Sequence, residues 1–153
     1  MMDQRIVHKV LLKQYAEDIF LQRIAIAQQA MDEAQAAANQ EGKSSAGDKY
    51  ETARAMSHLE KDMHARQLLA HQQDLNTLHA INVQNICQAP VAGAFVRSSS
   101  AHFFIGAGLG KQVIDGKTII FLSPASPLAQ KLMTKRPGDE FEFKGNNRII
   151  EIY

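Results

Sequence analysis

The stretch Ser44–Met56, SSAGDKYETARAM, separates two long helical patterns and decides how the chain is organised. Before it, Ile6, Val10, Lys13, Glu17, Phe20, Ile24, Ala27, Met31, Ala34 and Ala38 recur at alternating spacings of four and three. That period marks one face of a helix, predicted from about Asp3 to Asn39. Lys13 and Glu17 interrupt the stripe, while Leu12, Tyr15, Ala16 and Ile19 broaden it. After it, Ala53, Met56, Leu59, Met63, Ala70, Leu75 and Leu78 continue a helical period from Asp48 or Lys49 to near His79. A helix of about 30 residues is about 45 Å long. Two of these joined by a short Gly/Ser turn predict an antiparallel hairpin, a coiled coil over residues 1–80 with its tip near 40–51.

Beyond the hairpin the composition changes. AINVQNICQAPVAG contains Pro90 and places a linker at 81–90. From 91 to 153 the pattern is strand-like, in AFVRS, AHFFIGAG, KTIIFLS, EFEF and RIIEIY. IDGK and KGNN read as turns between strands. Ser126 and Pro127 suit the N-cap and first turn of a short helix through Leu132 and Met133, and RPGDE ends it. About five strands and one helix make a small α+β domain.

Composition limits the function. The 153 residues carry a net charge of +1, which disfavours a protein that wraps duplex DNA. Residues 1–80 hold 9 Lys/Arg against 11 Asp/Glu, and residues 81–153 hold 8 against 5. Cys87 is the single cysteine, so neither an internal disulfide nor a thiolate metal cluster can form. Charges break every apolar run near the start, which predicts no signal peptide and no membrane span, with the cytoplasm as location. GAGLGK lacks the spacing and the Ser/Thr of a phosphate-binding loop and reads as an inter-strand loop. The six histidines form no compact ligand triad, and no nucleophile–base pairing emerges.

Asp48 and Glu51 have two readings. They can cap the second helix, where acids favour the positive end of its dipole. They can also offer two carboxylates to one Mg²⁺, with a partner or substrate completing the shell. Lys43, Lys49, Tyr50 and Arg54 flank them and could contact a nucleic acid or a catalytic surface.

SSAGDKYETARAM resembles the tip and second-helix start of Gre-type bacterial transcription elongation factors. SPASPLAQKLMTKRPGDEFEF with RIIEIY resembles their C-terminal domain, and together the likeness covers essentially the whole chain. It implies a helical hairpin followed by an FKBP-like α+β domain. It also implies binding to bacterial RNA polymerase, with the C-terminal domain docked at the rim of the secondary channel and the hairpin inside it. The docking residues would be Ser126, Pro127, Gly138 and Asp139. Asp48 and Glu51 would help hold the polymerase's catalytic Mg²⁺ and so assist cleavage of backtracked RNA 3′ ends. The factor would be no enzyme itself, would bind no cofactor alone and would act as a monomer. The family's tip acids, matched through Tyr50 and Arg54, fall on Lys43 and Ala46, and Asp48 and Glu51 lie five residues later. The alternative function is a regulator that occupies the channel without stimulating cleavage. A peptidyl-prolyl isomerase is a third reading, but its aromatic pocket competes with a simpler role for Phe95, Phe103, Phe104, Phe121, Phe141 and Phe143 as core residues.

Overall fold

A computed structural model describes residues 3–44 and 48–153, and the side chains of all of these except 41–44 and 48–50. Two long helices, α1 (Gln4–Ser44) and α2 (Asp48–His79), precede a mixed β-sheet domain. Helix α1 runs five residues past the expected Asn39, because Gln40 to Ser44 continue the helical backbone through Gly42. Asp3 begins it as a cap, its Oδ1 accepting the Arg5 backbone N–H at 2.9 Å. Helix α2 has the predicted limits.

The chain divides into two compact units, Asp18–Leu75 and the combination of Met1–Glu17 with Asn76–Tyr153. In the first, Lys61 Nζ donates to Gln35 Oε1 across the two helices. Phe20, Ala27, Ala34 and Ala38 line the α1 side of the seam. The α2 side departs from the expected stripe. Met56, Leu59 and Met63 are 58%, 60% and 45% exposed and face outward. The seam is instead Ser57, Lys61, His64, Leu68, His71 and Leu75, which keep the same four-three spacing one position round the helix. Alanines opposite make this possible. They leave room for Lys61 to lay its aliphatic stem in the seam while its ammonium reaches Gln35.

In the second unit, six strands form one sheet in the order β3-β4-β2-β1-β6-β5. They are β1 (Phe95–Ser98), β2 (His102–Ile105), β3 (Gly110–Ile114), β4 (Lys117–Leu122), β5 (Glu140–Glu142) and β6 (Asn146–Ile152), with α3 (Pro127–Leu132) between β4 and β5. The part of GAGLGK read as loop contributes Gly110 and Lys111 to β3, because the backbone there pairs with Phe121 and Ile120. The β5–β6 turn is also shorter than KGNN implied, since Asn146 already pairs with Glu142. All neighbours are antiparallel except β2 and β4, which run parallel with Phe104 beside Phe121.

Alternation along the strands builds two apolar faces. On one, Val96, Phe103, Ile105, Phe141 and Ile149 pack with Ala129 and Leu132 of α3. On the other, Phe95, Phe104, Phe121 and Tyr153 gather with His8 and Tyr15 from the start of α1. Phe103 and Phe104 are both fully buried, on opposite faces. Each such side chain stabilises the domain by about 1.5–3 kcal/mol relative to exposure.

Candidate functional site

The helical backbone restarting at Asp48 puts positions 48 and 51 one turn apart at the beginning of α2. Glu51 is exposed, as is Arg54 one turn further on. The side chains of Lys43, Asp48, Lys49 and Tyr50 lie outside the described residues, as does Ala46. A Mg²⁺ ion takes an octahedral oxygen shell and keeps several waters. Glu51, open to solvent, offers one carboxylate toward such a shell and not the whole of it. Among the described residues no group of three His, Cys, Asp or Glu could hold a metal.

Ser126, Pro127, Gly138 and Asp139 are organised by backbone hydrogen bonds. Ser126 has extended φ and ψ of −66° and 151°, and its Oγ accepts the Ala129 N–H at 3.2 Å. Pro127 follows in the first turn, where its missing N–H costs no helical bond. After α3, Asp139 Oδ2 accepts the Arg136 N–H at 2.8 Å and closes a tight turn. Gly138 occupies that turn at φ 94°, and its N–H donates to Ile149 O at 2.7 Å. Pro127, Gly138 and Asp139 are exposed, so the two turns present a polar surface without depending on it for burial.

Sequence reasoning missed a polar cluster near the start of α1. Lys9 is fully buried, and its Nζ donates to Asn85 O at 2.5 Å and lies 3.8 Å from Cys87 Sγ. Burial lowers its pKa, and the neighbouring Cys87 opposes that shift. The two polar interruptions noted in the stripe have a local purpose. Lys13 Nζ donates to His79 O at 3.3 Å and Ile81 O at 2.8 Å, satisfying carbonyls where α2 ends. Glu17 Oε1 faces His79 Nε2 at 3.6 Å. The readable signal was a pair of interruptions four apart on a helix whose antiparallel partner was expected to stop at His79.

His8 Nδ1 and the Tyr153 hydroxyl complete the cluster under the sheet. Burial holds His8 below the usual imidazole range, helped by the charges of Lys117 and His102. Burial also pushes Tyr153 up to about 12, with Glu151 adding to the shift. No helix among the described residues is long and apolar enough to cross a membrane. Neither the protein-family models nor the curated proteins with which the chain was compared match it.

Proposed function

We propose that the chain is a Gre-like elongation factor that binds bacterial RNA polymerase and reaches its secondary channel with the helical hairpin. The observation that carries this reading is the restart of α2 at Asp48, which sets two acidic positions on its first turn between two helices of 41 and 32 residues. The order of the sheet domain adds support. A Ser-Pro-capped helix, a Gly-Asp turn and a final strand pair follow one another as in that family, and we take the domain as FKBP-like.

In this reading Ser126, Pro127, Gly138 and Asp139 contact the channel rim, and Asp48 and Glu51 complete the shell of the polymerase's Mg²⁺. Lys43, Lys49, Tyr50 and Arg54 meet the active-site surface or the RNA 3′ end. The metal activates water for phosphodiester hydrolysis. The chain's residues position and hold, so the chemistry is the polymerase's own and the factor acts in the cytoplasm as a monomer. A second reading, occupation of the channel without cleavage, is favoured by the offset that leaves Lys43 and Ala46 where the family carries its acids.

An RNA-release assay on a backtracked elongation complex separates them. The wild type should stimulate cleavage, and Asp48→Ala/Glu51→Ala should bind equally and stimulate none. Binding without cleavage by either protein selects the channel-occupying regulator. Absence of binding by the wild type sinks both readings.

A further inference from the structure

A cleft of about 580 Å³ opens on the sheet domain, within the size range of small-ligand sites. Its apolar surface comes from Ala101, Ile120 and Phe143, the latter two half-buried against the core that α3 covers. Lys111 of β3 and Lys144 of the β5–β6 turn also line it, brought together from opposite ends of the strand order. No carboxylate lines the cleft, and neither lysine has an ion-pair partner among the described residues. Lys144 Nζ lies 5.7 Å from the centre of the Phe143 ring, so one wall pairs a cation with an aromatic face.

The hydroxyls divide the remaining work. Ser100 is engaged with Asn147 Oδ1, which leaves Thr118 as the hydroxyl donor available to a ligand. The surrounding field is positive. His102, also at the cleft, is held below the usual imidazole range by burial first and then by the charges of Arg97 and Lys117.

We propose that this cleft binds a small amphipathic organic anion, its apolar body against Ile120 and Phe143 and its carboxylate or phosphate between Lys111 and Lys144. Two lysines without carboxylate partners supply the attraction, and the apolar floor supplies desolvation that a bare ion cannot use. The inference stands apart from polymerase binding, since it concerns the sheet domain alone.

The test is an NMR titration of the full chain with 1-naphthyl phosphate, 1-naphthoate, neutral 1-naphthol and inorganic phosphate. Saturable shifts should centre on Ala101, Lys111, Thr118, Ile120 and Phe143. At least one naphthyl anion should bind about tenfold or more tighter than either 1-naphthol or phosphate, a gap of about 1.4 kcal/mol. The stronger of the two anions identifies the headgroup. Lys111→Gln/Lys144→Gln, two changes at exposed positions, should weaken that anion about tenfold while melting as the wild type does. Equal binding by the double variant, shifts centred elsewhere, equal affinity for 1-naphthol, or no saturable binding would each overturn the proposal. Tighter binding of the acidic peptide acetyl-Glu-Phe-Glu-Glu-amide would overturn it in favour of a protein partner.

Discussion

His8 Nδ1 and the Tyr153 hydroxyl lie 2.6 Å apart although 145 positions separate them in the chain. This bond ties the second turn of α1 to the residue after β6, and Phe95 packs against both rings. Both groups are perturbed in the direction that burial dictates, which makes stability depend on pH at two separate ends of the scale.

On the acid side, His8 and His102 have lowered pKa values in the fold. The unfolded chain therefore takes up protons first, near pH 6.5, and stability falls as pH drops from there through the folded values. Thermal melts between pH 8 and 5 should show a declining midpoint below about 6.5, flattened in His8→Gln/His102→Gln. Asp3 and Glu140 are lowered by their arginine partners and act only at more acidic pH, so they leave this window clear. On the alkaline side, Tyr153 remains protonated to about 12 while the unfolded phenol ionises near 10. Stability should fall across that interval. Tyr153→Phe should remove the alkaline fall while costing about 1 kcal/mol at neutral pH. A pH-independent melt would contradict the assignment.

Gly93 and Gly138 both have positive φ, 90° and 94°, yet they should respond differently to alanine. A Cβ on Gly93 would stand 2.5 Å from the backbone oxygen of Asn82, whereas one on Gly138 meets nothing within 4 Å. Gly138→Ala should cost about 1 kcal/mol from the left-handed backbone alone. Gly93→Ala adds a clash with main chain and should lose at least about 2 kcal/mol more, read as a shift in urea midpoint. Equal losses would show that Asn82 can move away.

Lys9 should be replaceable by shape more readily than by size. Lys9→Met retains the buried stem and removes the cost of burying a charge, but leaves Asn85 O unpaired. These opposing effects predict a change within about 1.5 kcal/mol. Lys9→Ala leaves both an empty space and the unpaired carbonyl, and should cost about 2–4 kcal/mol. Denaturant titration of the two variants ranks them directly, and an innocuous alanine would argue against close packing at this position.

His71 offers a gain. Its Nδ1 is buried without a hydrogen-bond partner among the described residues, at a seam position shared with Leu68 and Leu75. His71→Leu should raise stability by about 1 kcal/mol. No change in melting temperature would mean that the ring finds a partner in solution.

Much of this architecture could be read from local chemistry. Asp48 after Gly47 marks where α2 starts, and Ser126 with Pro127 marks α3 almost to the residue. The outward Met56–Leu59–Met63 stripe was unreadable as such, because exposed and buried faces of this helix repeat with the same period. Burial was decided by the alanines of α1, which accept Lys61 and His64 as seam residues. The parallel pairing of β2 with β4 was equally hidden, since β3 lies between them in the chain and outside them in the sheet. At the candidate site, the spacing of Asp48 and Glu51 was legible and its helical setting follows. Lys9 was not, because its partners Asn85 and Cys87 come from the linker and depend on tertiary approach.

The placement of β6 between β1 and β5 has a consequence for biosynthesis. Phe95 exchanges backbone hydrogen bonds with Tyr153, so β1 is made some fifty residues before β6, the second of its two neighbours. The first turns of α1 are made earlier still and wait even longer for the sheet face they cover. Helices α1 and α2 can form from local contacts, whereas closure of the sheet waits for β6, which is made after the other five strands. Until β6 is made, β1 has only β2 beside it and β5 has no strand to pair with.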